Sequence, residues 1–231
     1  MTGISRRSFF IGSAVAGAST LASARTFALD ASPINLFGPA PGVAKLNANE
    51  NPYGPSPKAI KAMVEASAHG AYYVRKSAQR LREMIAERHD LSPDYVVLSS
   101  GSSGVLTYLA LASSQQGKIL APDLFWDTTS LMGVRNSGNG IVRLPKSASL
   151  NIDLQAMEGA LDSDISMVHV TNPNNPTGMV LDSDELRAFC GRASEKCTVL
   201  VDEAYNELTA DPAASTMIPL VKAGKNVAVA R

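Results

Sequence analysis

Cysteine is nearly absent from the chain: 231 residues hold two, Cys190 and Cys197, alongside three histidines and one tryptophan. That supply excludes a disulfide framework and a Cys/His metal site, and the two thiols are expected unpaired. A surplus of either charge is also missing, with 21 Lys and Arg against 21 Asp and Glu. Without a basic excess there is no footprint for a phosphate backbone, which argues against nucleic acid as the main partner. No apolar run reaches the roughly 20 residues that cross a bilayer, so no stable membrane anchor is expected. What the chain does have is apolar content, 45% of residues against 18% charged. That is enough to bury one sizeable core and too much for a disordered polymer.

The first thirty residues are the strongly biased segment. Ser5, Arg6, Arg7, Ser8, Phe9 and Phe10 lead into a small, apolar run that ends near Ala22-Ser23-Ala24. The small-x-small ending suits a signal peptidase, and the paired arginines in S-R-R-x-F-F resemble a twin-arginine export signal. Residues 1–24 are therefore expected to direct export to the periplasm or another extracytoplasmic space, leaving a nearly neutral mature chain. Residues 25–55 read as an N-terminal arm.

From residue 56 the pattern alternates between helix and strand. Ser56 and Pro57 make an N-cap and first helical position, with Gly70 as the closing cap after Ala68. A second helix carries Leu81, Met84 and Ile85 at i, i+3, i+4. Short apolar runs at Tyr95–Leu98, Lys118–Ala121, Ile141–Leu144, Met167–Val170, Thr198–Val201 and Asn226–Ala230 read as buried strands. Helical patterns separate them around Gly104–Ala112, Asp153–Leu161 and Asp184–Arg192. Continuously apolar strands alternating with helices predict a three-layer α/β/α fold with a mostly parallel sheet over residues 56–231. In such a sheet ligands bind beyond the carboxyl ends of the strands.

Three loops there have unusual chemistry. Ser99-Ser100-Gly101-Ser102-Ser103-Gly104 offers small residues and free N–H groups, which suit either a helix cap or a bound phosphate. Thr171-Asn172-Pro173-Asn174-Asn175-Pro176-Thr177-Gly178 crowds two prolines and three asparagines into one connector, more amide capacity than a plain turn uses. Val199-Leu200-Val201 runs into Asp202-Glu203-Ala204-Tyr205. A carboxylate at the end of a buried strand needs a partner, so Asp202 serves equally as a helix cap or as the counter-charge of a cationic ligand group.

Together these strings resemble fold-type-I pyridoxal-phosphate-dependent enzymes, most closely the histidinol-phosphate aminotransferases. The likeness rests on Leu46-Asn47-Ala48-Asn49-Glu50-Asn51-Pro52-Tyr53-Gly54-Pro55-Ser56-Pro57, the Asn172–Gly178 loop, and Asp202–Tyr205 in that order. It implies pyridoxal 5'-phosphate as cofactor, an amino donor and a 2-oxo acid acceptor as substrates, and a homodimer. By resemblance Asp202 pairs with the ring nitrogen, while Asn175 and Tyr205 hydrogen-bond the ring oxygen. Gly101, Ser102, Ser103 and Gly104 cradle the phosphate. Trp126 stacks on the ring, with Phe125 the competing stacker and a core position the alternative for Trp126. Tyr73 reaches the neighbouring subunit's phosphate, although Val74 stands where relatives carry proline. Asn49 and Tyr53 line the substrate pocket. No metal is implied.

One departure is severe. The family's Schiff-base lysine lies in an S-K motif downstream of a strand like Asn226–Ala230, and none of the nine lysines here occupies such a motif. The resemblance therefore implies an incomplete large domain without the small domain, as a C-terminally truncated aminotransferase would have, inactive as it stands. A catalytically dead exported binder of cofactor or amino acid, and other chemistry of the same cofactor such as racemisation or decarboxylation, are the competing expectations.

The export expectation is tested by replacing Arg6 and Arg7 with Lys. The variant should remain in the cytoplasm with residues 1–24 attached; unchanged periplasmic recovery sinks the twin-arginine assignment.

Overall fold

The computed structural model describes residues 38–135 and 137–231. The segment assigned to export, residues 1–24, lies outside the described residues. Two compact units divide after Gly70.

In the first unit, Asn51 closes a tight turn by accepting the Tyr53 N–H and donating to the Gly54 carbonyl, both at 3.0 Å. Helix α1, Pro57–Ser67, then starts as expected, with the Ser56 hydroxyl accepting from the Ala59 N–H. Its end differs from expectation. The helix closes at Ala68 in right-handed geometry, and Gly70 does not adopt the left-handed conformation for which a glycine cap is used.

The second unit begins with α2, Arg75–His89, closed by Asp90 in left-handed geometry. Its periodic stripe is less covered than the pattern predicts: Leu81 and Met84 are about half exposed, and Ala86 is the buried residue. The expected strand at Tyr95–Leu98 does not form. Pro93–Tyr95 is a single 3-10 turn, and Val97 is exposed. The reason is a competing donor. Arg82 of α2 gives its Nε to the Val96 carbonyl at 3.1 Å and its Nη2 to the Pro93 carbonyl at 2.8 Å, so a side chain takes the acceptors a ladder would use.

The other five runs form one parallel sheet: β1 Lys118–Pro122, β2 Ile141–Leu144, β3 Ile165–Thr171, β4 Thr198–Asp202 and β5 Val227–Ala230, in the order β2-β1-β3-β4-β5. Both faces are covered, which explains why the strands read as unbroken apolar runs. One face packs Leu120, Val168, Val170, Val199 and Val201 against α5 (Leu154–Gly159) and α6 (Ser183–Ala193), through Met157, Leu186, Phe189 and Cys190. The opposite face packs Ile119, Met167, Leu200 and Ala230 against Leu106 and Ala110 of α3, Ser102–Ser114. Each fully buried Leu or Phe contributes roughly 1.5–3 kcal/mol of transfer free energy. Both cysteines are buried and unpaired, and burial pushes the Cys190 thiol up to about 12.

Three short helices were not legible as periodic patterns: α4 Thr128–Val134, α7 Pro212–Ser215 and α8 Ile218–Lys222. Helix α4 lies against α3 at closest approach around Gly133. A Cβ there would meet the Ala110 Cβ at 2.4 Å. Gly133→Val should therefore cost about 3 kcal/mol by overpacking. Gly191→Ala, inside α6 with nothing within 4 Å of the added carbon, should instead stabilise by about 0.5–1 kcal/mol. Urea denaturation of the two variants checks both; equal midpoints would mean that the α3–α4 contact is looser than described.

Candidate functional site

The carboxyl ends of β3 and β4 are adjacent, with Thr171 in register with Asp202. The asparagine loop leaves β3 at this point and contains two cis peptide bonds, Asn172-Pro173 and Asn175-Pro176. Two of its three asparagines are consumed in shaping it. Asn172 gives its N–H to the Asp202 carbonyl and accepts from the Leu181 N–H, both at 2.9 Å. Asn174 donates its side-chain amide to Thr177 Oγ1 at 2.9 Å and to the Leu124 carbonyl at 3.3 Å. Asn175 is thereby held half-buried, with its Nδ2 3.5 Å from the Tyr205 hydroxyl. Two side chains expected to address one oxygen are brought together.

Asp202 is 4% exposed. Its Oδ1 accepts the Ala204 N–H at 3.2 Å, so the capping role is realised. That single bond does not compensate the charge. No Lys or Arg pairs with Asp202 among the described residues, and burial pushes its carboxyl above the ordinary carboxylate range, with the Glu203 charge adding to the rise. Glu203, next in sequence, is fully compensated. It is 1% exposed and accepts from Thr216 Oγ1 at 2.8 Å, the Met217 N–H at 2.6 Å, and the Arg231 guanidinium at 2.8 and 3.1 Å.

The phosphate-turn string enters the helix sooner than expected, since α3 starts at Ser102. Its N-cap, Gly101, has φ +71°, and no side chain caps the helix. The first-turn N–H groups thus remain available for an anion, and the macrodipole favours one. Ser99 donates to the Gly101 carbonyl and sits 3.0 Å from where a Cβ at Gly104 would be, which fixes the turn's tight curvature.

Of the two candidate stacking rings, Phe125 is buried and stands edge-on to His169 at 5.0 Å, with the Arg143 guanidinium 5.7 Å over its face. Trp126 is partly buried against the Leu106–Ala110 cluster, the core role kept open for it. Tyr73 is 95% exposed. Asn49 and Tyr53 belong to the first unit.

Sequence reasoning missed several buried polar groups here. His169 is fully buried in β3; its Nδ1 lies 2.8 Å from Ser130 Oγ of α4, and its Nε2 has no partner. Thr129 Oγ1, Thr171 Oγ1 and Asn174 Oδ1 are also buried without partners. The available signal was a His and a Thr at alternate positions in the apolar run that ends β3.

Four lysines of the second unit lie elsewhere. Lys225 precedes β5 and pairs with Glu195 at 3.1 Å, at the amino end of the sheet. Lys118 pairs with Asp164, and Lys222 with Asp90. Lys146 follows β2, three places from β4 in the sheet, a lateral distance of about 14 Å.

Residues 41–231 match the family model described as aminotransferase class I and II. The chain belongs to this family. It is 33% identical over 198 residues to the aromatic amino acid aminotransferase of Thermobifida fusca, covering 85% of this chain and 54% of that one. It is 35% identical over 194 residues to the histidinol-phosphate aminotransferase of Symbiobacterium thermophilum, covering 82% and 52%. The fold matches the crystal structure of histidinol-phosphate aminotransferase from Sinorhizobium meliloti in complex with pyridoxal-5'-phosphate, with a TM-score of 0.63 at 24% identity over 69% of this chain and 44% of that one. The chain spans about half the length of the curated relatives it matches.

The uncompensated carboxyl gives a signed prediction. The folded state favours neutral Asp202, so its stabilising effect is complete below the unfolded carboxylate range and lost as pH rises through the folded value. Asp202→Asn should therefore stabilise the ligand-free chain at pH 7, by on the order of 1 kcal/mol. The gain should vanish towards pH 3, where both residues are neutral. Thermal melts across that range check it, and a variant less stable at pH 7 contradicts it.

Proposed function

We propose that residues 71–231 hold the ring and phosphate of pyridoxal phosphate in a transaminase of amino acids or amino-acid-like amines. The observation that carries this is Asp202, a buried carboxyl without a cation beside an asparagine–tyrosine pair. The residues fit the group. A protonated ring nitrogen would compensate Asp202, Asn175 and Tyr205 would donate to the ring's phenolic oxygen, and the uncapped start of α3 with Ser102 and Ser103 would receive the phosphate. Bound there, pyridoxal phosphate supplies an electron sink for the pair left on a substrate α-carbon.

The protein's part is electrostatic and positional. Asp202 keeps the ring-nitrogen proton in place because its charge is buried and otherwise unmet. Asn175 and Tyr205 orient the ring in its plane. Phe125 or Trp126 covers one face. Export by a twin-arginine route, which carries folded proteins, is compatible with a cofactor loaded beforehand. A homodimer in which Tyr73 reaches the partner's site accords with that ring's exposure. Similarity to relatives acting on histidinol phosphate and on aromatic amino acids favours a donor of that kind.

A second reading, cofactor binding without turnover, is favoured by the lysine distribution. Transamination needs an amine twice: to hold the cofactor covalently, and to carry a proton once substrate has displaced it. Incubation of the 231-residue polypeptide with pyridoxal phosphate, borohydride reduction and mass spectrometry separates the readings. We expect weak non-covalent binding, lowered at least tenfold by Asn175→Ala, with no stoichiometric adduct on one lysine. A single such adduct, with amino-acid-dependent formation of pyridoxamine phosphate, would show that another lysine supplies the chemistry. Absence of any binding overturns the cofactor assignment.

A further inference from the structure

We propose that His169 is a positioning residue for Asp202, acting through a bound water held between its Nε2, the Thr171 hydroxyl and the Asp202 carboxyl. The proposal deepens the cofactor reading, but the contact itself belongs to the ligand-free chain.

The register supplies the geometry. Thr171 pairs with Asp202, and His169 lies two residues earlier on β3, in register with Leu200. Neighbours in register on parallel strands share a face, and so do residues i and i+2. His169, Thr171 and Asp202 therefore emerge from the same face, the one that α3 covers through Met167 and Leu200. From His169 to Asp202 the Cα diagonal is about 8 Å, from two residues of rise and one strand spacing. An imidazole, one water and a carboxyl fill that span.

Unpartnered atoms supply the second observation. His169 Nε2 and Thr171 Oγ1 are both buried without a partner among the described residues, as are Thr129 Oγ1 and Asn174 Oδ1. Buried polar groups rarely stay unpaired, and a site with two to four polar partners is where an internal water is held. The proposal makes the Ser130 hydroxyl the donor to His169 Nδ1, 2.8 Å away, which leaves the lone pair on Nδ1 and the proton on Nε2. Burial pulls the imidazole down to about 4, which keeps it neutral at pH 7. The ring is steadied edge-on against Phe125. Nε2–H then donates to the water, and the water donates to Asp202, favouring the ionised carboxylate that a ring-nitrogen proton requires. The charged groups around this strip are Glu203, neutralised by Arg231, and the Arg143–Asp127 pair beside Phe125.

The test uses the ligand-free 231-residue chain with labelled histidine and aspartate, followed by NMR against pH. Asp202→Asn assigns the Asp202 carboxyl signal. In the wild type His169 should be the Nε2–H tautomer from pH 5 to 8. His169→Phe, which keeps a ring but removes the donor, should raise the Asp202 midpoint by at least one pH unit, a tenfold change in its ionisation constant. His169→Gln, which places an amide donor on a shorter arm, should restore at least half of that shift. A purely structural histidine would leave the Asp202 midpoint unmoved in a folded His169→Phe variant, and that result overturns the proposal. If His169→Phe does not fold, Thr171→Val removes one partner of the water while preserving shape. An unmoved Asp202 midpoint there, or a wild-type His169 protonated at Nδ1 instead, is equally fatal. Because every readout is taken without cofactor, it stands apart from the pyridoxal phosphate binding that tests the functional reading.

Discussion

Glu203 is a carboxylate sealed at the end of β4, and its hydrogen bonds reach two separate parts of the chain. Thr216 and Met217 come from the segment between α7 and α8, and Arg231 follows β5. The backbone continues the same tie, because the Glu203 N–H donates to the Ala230 carbonyl at 2.8 Å. Removing one partner of such a buried pair strands a charge in the interior, which costs more than the pair contributes as a whole. The sheet edge, the connector and the turn after β4 are thereby locked to one point. Asp202 and Tyr205 inherit their positions from it.

Alternation along β4 places Asp202 and Glu203 on opposite sides of the strand. The two neighbours then meet opposite electrostatic fates. Glu203 faces a cation and two further donors. Asp202 faces one amide and, among the described residues, no cation. A fold indifferent to ligand would compensate both or bury neither. The same asymmetry recurs on β3, where Val168 and Val170 pack into an apolar cluster while His169 and Thr171 carry unpartnered atoms. Chemistry has been collected on the face under α3 and α4, while the other face is left to hold the fold.

Legibility in the sequence followed the same division. Five of the six apolar runs became strands of a parallel sheet, because strands buried on both faces announce themselves by composition alone. The run at Tyr95–Leu98 has similar composition but no ladder, and nothing local foretells that Arg82, thirteen residues upstream of Tyr95, takes the backbone acceptors. Helix α4 escaped because seven residues give no reliable period. Within the site, Asn175, Asp202 and Tyr205 were legible from their strings, since loop chemistry is local. Glu203 as the anchor and His169 as a buried polar group were not, for their partners lie far along the chain.

The small residues on the α3–α4 side explain how a polar strip can be sealed from bulk solvent without a thick apolar cover. Gly133 against Ala110 lets α4 pack close to α3, and that approach brings Ser130 within 2.8 Å of His169. A larger residue at either place would lift α4 away, and the hydroxyl in contact with the imidazole would go with it. The close packing of two helices is thus coupled to a hydrogen bond of a side chain in the sheet beneath them. Stability and electrostatics at this face are set by the same contact, so a substitution chosen only to improve packing there cannot be assumed neutral for Asp202.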